Sequence, residues 1–272
     1  VTDSDVKIRI LGCGSSGGVP RIGNRWGDCD PSEPKNRRSR CSILLCKGQG
    51  NVQTNVLIDT SPDMREQLLA ANCHSLDAVL YTHDHADQTH GLDDLRQIAY
   101  LMKTKIPVYM DAATRNTLYR RFEYAFRQDD SSAYPAILDE QQMPSSGIKF
   151  KIDGAGGEVC FTPILLHHGP NIQSLGFRSG SIAYTPDVSD IPKNSIPLLQ
   201  GLDVWIIDAL RLPAHPTHFN LDMALEWIAR LKPRRAILTN MHIDMDYQTL
   251  LEKLPEHVVP AFDGMEISSS DI

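Results

Sequence analysis

Residues 81–91, YTHDHADQTHG, bring three histidines and two aspartates into eleven positions directly behind an apolar run. Desolvating so many polar and ionisable groups together is unfavourable unless something compensates them, and a bound metal cation does so most directly. His83 and His85 are separated by one residue, so on an extended segment both imidazoles face one side and reach one ion. Asp87 adds a carboxylate two residues further on.

An isolated His-x-His pair is weak evidence, because short motifs carry many false positives. What strengthens it here is recurrence. His168 follows the apolar run TPILLH, Asp187 follows SIAYTP, and His242 follows RAILTNM. Strand after strand ending in a ligand type points to a centre assembled from distant segments. His74 and His167 stand apart and read as structural, whereas His90 reads as a substrate contact or as a hydrogen-bonding group at a helix start.

The elements that must position these groups are legible in outline. VKIRIL alternates in polarity as a first strand and runs into GCGSSGGVPRIG, where only permissive backbone is comfortable. CSILLC, NVLIDT and LDAVLYT read as further strands, and the last delivers the histidine cluster at its C-terminal end. SPDMREQLLAAN reads as a helix with Ser61 as N-cap and Pro62 at its first position. GLDDLRQIAYLM and AATRNTLYRRFEYAFR have helical spacing around the strand IPVYM, and residues 129–147 read as a loop. Later strands are IKFKI, EVCFTPILL, SLGFRS, SIAYTP, VWIIDAL and RAILTN, with helices at LDMALEWIARL and DYQTLLEKL. Two strand-rich stretches, each followed by helices, predict an α+β fold of two sheets packed face to face with helices outside.

The bulk numbers bound the function. At 272 residues the chain can bury a sizeable core, and one domain spanning 1–272 is expected. With 41% hydrophobic and 22% charged residues, neither disorder nor a membrane span is indicated. A net charge of −7 argues against a broad nucleic-acid surface, so an anionic substrate needs local cations. Six cysteines without CxxC spacing, and acids rather than basic residues at the N-terminus, lead us to expect reduced thiols in a cytoplasmic protein.

Taken in order, LIDTSPD, THDHADQTHG, HHG, YTPD and TNMH resemble the metallo-β-lactamase superfamily of metallohydrolases over nearly the whole chain. GCGSSGGVPRIG, RCSILL and PTHFNLDMALEWI look most like the PhnP-type phosphodiesterases, which cleave a cyclic phosphodiester of ribose during phosphonate breakdown; tRNase Z is a more distant relative. The resemblance implies an αββα sandwich with two divalent ions, zinc or manganese, at one edge. His83, His85 and His168 would hold the first ion, Asp187 would bridge, and Asp87 with His242 would hold the second. Gln88 stands where that family has another histidine ligand. A neutral amide is a poorer ligand than imidazole, so the second site is expected to be weaker, to favour a harder ion, or to be unused. Only Cys29 lies in the NRWGDCDPSEPKNRR insertion, so no structural zinc is expected.

The implied chemistry is attack of a metal-activated hydroxide on phosphorus, with Asp87 at the reacting centre. His218 in PTHFN matches the family histidine near the scissile phosphate and would donate a proton to the leaving oxygen; alternatively it caps the helix begun near Asn220. Asp222 reads as an ordinary first-turn acid. Asp59 resembles the family aspartate that fixes the tautomer of a ligand histidine. For substrate binding, Ser15, Ser16 and Gly17 offer backbone N–H groups to a phosphate, or form only a tight turn. Arg37, Arg38 and Arg40 offer guanidiniums, or a solvated face. Trp26 stacks on a base or packs locally.

A metal-dependent phosphodiesterase for a small cyclic ribose phosphate or nucleotide-like substrate is therefore expected, with a homodimer by analogy. The alternatives are tRNA 3′-end processing, which the overall acidity disfavours, thioester hydrolysis of the glyoxalase II kind, and non-hydrolytic nucleotide binding on the same scaffold.

Overall fold

A computed structural model describes residues 6–50, 52–128 and 133–268. Along the chain these form β1 (Val6–Gly12), β2 (Ser42–Gln49), β3 (Val52–Ile58), α1 (Met64–Ala70), β4 (Ala78–Leu80), the short α2 (Ala86–Thr89), α3 (Leu95–Met102), β5 (Ile106–Met110), α4 (Ala112–Phe126) and β6 (Leu138–Gln142). There follow β7 (Phe150–Ile152), β8 (Val159–His167), β9 (Gln173–Ser179), β10 (Ile182–Thr185), β11 (Val204–Asp208), α5 (Leu221–Leu231), β12 (Arg235–Thr239), α6 (Tyr247–Lys253), β13 (Val258–Pro260) and β14 (Glu266–Ser268). Two seven-stranded sheets result, ordered β14-β1-β2-β3-β4-β5-β6 and β13-β12-β11-β10-β9-β8-β7. Each begins antiparallel and turns parallel: β3 to β6 in the first sheet, β10 to β13 in the second.

Alternation along the strands sets the layers. Ile43, Leu45, Val56, Ile58, Ala78 and Leu80 enter the core cluster shared with the second sheet, where Leu166, Phe177, Ile206 and Ile237 meet them. Leu44, Leu57, Val79 and Tyr81 point the other way, onto Met64, Leu68, Leu95, Ile98 and Leu118 of α1, α3 and α4. With both faces covered, the strands read as continuous apolar runs. The expected sandwich of two mixed sheets flanked by helices is the observed one. No helix of the described residues is long and apolar enough to cross a membrane.

The differences from the sequence reading have physical causes. Helix α1 starts at Met64 rather than Pro62, because the Ser61 hydroxyl, while accepting from the Asp63 N–H at 3.2 Å, donates to Gln67 Oε1 at 2.8 Å. The 129–147 loop contains β6, whose sequence LDEQQ is polar because it is an edge strand paired on one side only, with β5; residues 129–132 lie outside the described residues. The three-residue strands β13 and β14 are too short to leave a pattern.

Candidate metal centre

The C-terminal ends of β3, β4, β8, β10, β11 and β12 deliver polar groups to one edge of the sandwich. After β3, Asp59 adopts a φ of 64°, a left-handed conformation that costs a non-glycine residue about 1–3 kcal/mol. Its carboxylate accepts the Thr82 N–H and the Thr82 hydroxyl, each at 2.8 Å. Because that hydroxyl proton is committed to Asp59, Thr82 Oγ1 accepts from His83 Nδ1, 3.0 Å away. The tautomer follows: His83 carries its lone pair on Nε2, which is buried and has no hydrogen-bond partner. Asp59 therefore acts on His83 through Thr82. Burial drives the Asp59 carboxyl well up, and the two Thr82 bonds oppose that rise.

His85 is the N-cap residue of α2 and makes no side-chain capping bond. Its carbonyl accepts from the Gln88 N–H and the Thr89 hydroxyl, while the Gln88 carbonyl accepts from the Thr60 N–H at 2.8 Å, so the short helix is stapled beside β3. His168 donates Nδ1–H to the Thr217 carbonyl at 2.7 Å, which turns its Nε2 lone pair toward His85 Nδ1, 3.3 Å away. Ring centroids are 4.5 Å apart for His83 and His85, and 5.0 Å for each of them to His168. One nitrogen from each ring lies within 4.8 Å of the others. Burial, reinforced by the neighbouring imidazoles, pushes His83 well below the usual histidine range and His168 down to about 3. Neutral imidazoles with converging lone pairs are what a divalent cation requires, so these residues fit one.

Carboxylates line the opposite side. Asp187, 2% exposed, sits just beyond β10 with Oδ1 3.9 Å from His168 Nε2. It accepts from Asn240 Nδ2 and from Gln88 Nε2, both at 3.3 Å, and Gln88 Nε2 also lies 3.4 Å from Asp87 Oδ2. Gln88 is fully buried and its Oε1 has no partner. Burial, with Asp87 and Asp208 adding to it against the pull of His218, drives the Asp187 carboxyl well up. Asp208, the last residue of β11, accepts from the Val188 N–H at 3.0 Å and from His218 Nδ1 at 2.8 Å. Burial alone would lower His218, but the charge and hydrogen bond of Asp208 outweigh it and hold the ring at about 9. His168, Asp187 and His218 also form a close donor set. What sets His218 apart from the other rings is the buried Asp208 carboxylate on its Nδ1, which favours keeping a proton on the ring.

His242 donates Nδ1–H to Asp244 at 2.9 Å, which orients the ring and leaves Nε2 available. Among the described residues, the close donor sets include neither Asp87 nor His242. Ser15 is buried with its hydroxyl unpartnered, Ser16 is exposed, and the loop is tied to the stretch after β12 by the Ser15 N–H on the Met241 carbonyl. Arg38 departs from the expected outward anion contact. It is 1% exposed, with Nη2 on Asn36 Oδ1 at 3.2 Å and Nη1 3.9 Å from Cys29 sulfur, so it anchors the insertion from within. Arg37 lies over Trp26, whose indole N–H bonds Asn24, and Arg40 pairs with Asp63. His90 meets Phe122 edge-on, His74 bonds Asn72, and His167 pairs with Asp190; the Asn220 side chain, not His218, caps α5.

Asp208, Asn240 and Thr82 were missed in the sequence. Asp208 had a signal, since VWIID ends in an acid just as VLID and YTPD do.

Comparison with known proteins fits this geometry. Residues 54–243 match the family described as Beta-lactamase superfamily domain. A solved structure described as a new diphosphatase from the PhnP family superposes with a TM-score of 0.84 at 33% identity, covering 97% of each chain. The zinc-bound PqqB of Methylobacterium extorquens shares the fold, with a TM-score of 0.72 at 17% identity over 96% of this chain and 99% of that one. An octanoyltransferase of Porphyromonas gingivalis is 31% identical over 259 residues, 94% of this chain. The chain spans about half the length of that relative (50%).

Proposed function

The chain belongs to the Beta-lactamase superfamily domain family and has its metallo-β-lactamase sandwich fold, and on that premise we propose that it is a metal-dependent phosphodiesterase for a small substrate such as a cyclic ribose phosphate or a nucleotide-like ester. The observation that carries the reading is the convergence of His83, His85 and His168 on one point, with the buried His83 Nε2 left without a protein partner. His83, His85, His168 and Asp187 would hold a first divalent ion, zinc or manganese, and Asp87, Asp187 and His242 a second. When bound, the ions supply Lewis acidity toward water and phosphoryl oxygens. The similarity to a PhnP-family diphosphatase over nearly the full length of both chains supports phosphorus as the centre attacked.

The chain's own residues do the rest. Thr82, Asp59 and the Thr217 carbonyl hold two imidazoles in the tautomer that keeps Nε2 unprotonated. Asp208 keeps Nδ1–H of His218 in place, so the opposite nitrogen delivers a proton to the departing oxygen. Octanoyl transfer is named for a protein twice this length and is not carried over. The test is hydrolysis of a panel of cyclic phosphodiesters, linear phosphodiesters and thioesters by metal-stripped protein reloaded with Zn²⁺ or Mn²⁺. Turnover of phosphodiesters alone supports the reading; thioester turnover alone, or nucleotide binding without turnover, overturns it.

A further inference from the structure

The loop between β11 and α5 carries a second imidazole, His215, three residues before His218. The Thr217 backbone N–H lies 3.3 Å from His215 Nδ1, and the Thr217 hydroxyl lies 3.2 Å from it. A backbone N–H only donates, so Nδ1 is an acceptor and the proton of the neutral ring sits on Nε2. The Thr217 carbonyl meanwhile takes the Nδ1–H of His168 at 2.7 Å. One residue thus sets two rings: the cation-facing His168 as an Nε2 acceptor, and His215 as an Nε2–H donor. Gly169 gives Thr217 the room to do this, since a Cβ there would stand 2.7 Å from Thr217 Cγ2.

His215 also stands beside His218. Its ring centroid is 5.2 Å from that of His218, and Arg211 pins the preceding stretch through the Ala214 carbonyl at 2.7 Å. Burial first, then His218, Arg211 and His242, disfavour a charge on it, so it stays a neutral donor. Donor and proton carrier stand side by side on one loop.

We infer that His215 is a phosphate-binding residue, its Nε2–H donating to a non-bridging oxygen of a phosphoryl group held beside His218. This rests on the reading of the site as acting on phosphate esters, and it separates two tasks: His215 orients the phosphoryl group, while His218 supplies the proton.

Inorganic phosphate is the probe, titrated calorimetrically into the metal-loaded protein, alongside kcat and KM for bis(p-nitrophenyl) phosphate. His215→Ala weakens phosphate binding about tenfold or more, the usual effect of losing a hydrogen bond to a charged group. His215→Gln keeps an N–H donor at similar reach and recovers binding to within about threefold. Metal content and the pH limbs of kcat stay at wild-type values in both. Unchanged phosphate affinity in His215→Ala overturns the inference, as does equal loss in the Ala and Gln variants, a fall in metal content, or a wild-type protein that binds no phosphate. Should no phosphodiester be hydrolysed while phosphate affinity still falls in the Ala variant and recovers in the Gln variant, the inference stands and the hydrolase reading fails.

Discussion

The two flanks of the centre treat their polar atoms differently. On the imidazole flank, His83 Nε2 is buried without a partner among the described residues, and His85 Nδ1 and His168 Nε2 contact each other at 3.3 Å. On the carboxylate flank, Asp187 already receives amide N–H groups from Gln88 and Asn240. A cation arriving at the first flank meets the unpartnered His83 Nε2 and an imidazole pair that bond each other; at the second it meets the unpartnered Gln88 Oε1 but must displace the amide N–H groups on Asp187. If two ions bind as proposed, the first flank is the higher-affinity side, and Gln88 makes the two unequal.

Removing the imidazole flank gives the largest effect. His85→Ala leaves His83 and His168 without their third nitrogen, so turnover is expected to disappear and the metal content, measured by elemental analysis, to fall. Full activity with full metal content in that variant would remove the ligand assignment and the comparison with it.

Next in size is the proton-carrying pair of the carboxylate flank. Asp208→Asn keeps the shape but removes the charge that raises His218, and kcat is expected to fall about 10²–10³-fold. The sign is definite. With Asp208 in place His218 holds its proton up to about 9, above the ordinary histidine value of 6.5. The stabilisation this ion pair gives the fold is thus complete below about 6.5 and lost as the pH rises through about 9. In the variant the alkaline limb of kcat moves to lower pH; a limb that stays put shows that another group carries the proton.

Gln88→His tests the inequality itself. Replacing the amide by an imidazole removes the donor that satisfies Asp187 and Asp87 and adds a ligand better suited to zinc. The second ion should then bind about tenfold tighter, and the ion-to-protein ratio should rise at limiting metal. An unchanged titration takes Gln88 out of the coordination argument.

How much of this the sequence shows differs between local and distant segments. The 83–88 segment is local and serves both flanks: His83, His85, Asp87 and Gln88 share one strand end and one helical turn, so their spacing is visible without a fold. His168, Asp187 and His242 were visible only as repeats of strand followed by ligand. What remained hidden depends on tertiary contact. Thr82 gains its role from Asp59, 23 residues away, and Asn240 from Asp187, 53 residues away. Arg38 misled for the same reason, since an arginine run reads as surface until Asn36 and Cys29 enclose one of its members. The layers were legible because apolar runs announce strands buried on both faces. The edge strand β6 was not, because its half-exposed side chains carry no apolar pattern.

The smallest effect separates support of the carboxylate flank from support of the whole fold. Asp246 follows the His242–Asp244 pair and caps α6, accepting the Thr249 N–H at 2.9 Å, the Asn36 amide at 2.6 Å and the Asp30 N–H at 3.1 Å. Burial raises its pKa, but these bonds prevail and hold it at about 2 rather than 3.8. A lowered pKa means stabilisation that is present above the ordinary value and lost as the pH falls toward about 2. Asp246→Ala should cost about 0.5–2 kcal/mol at neutral pH, the worth of a helix cap. In urea unfolding, the gap between variant and wild type should close as the pH drops from 3.8 to about 2. Because the residue ties the loop that carries His242 to the Asp30–Asn36 stretch and has no bond to His83, His85 or His168, the first ion's affinity should be untouched while the second weakens. Equal weakening of both ions would mean that the flanks are one cooperative unit rather than two sides with separate supports.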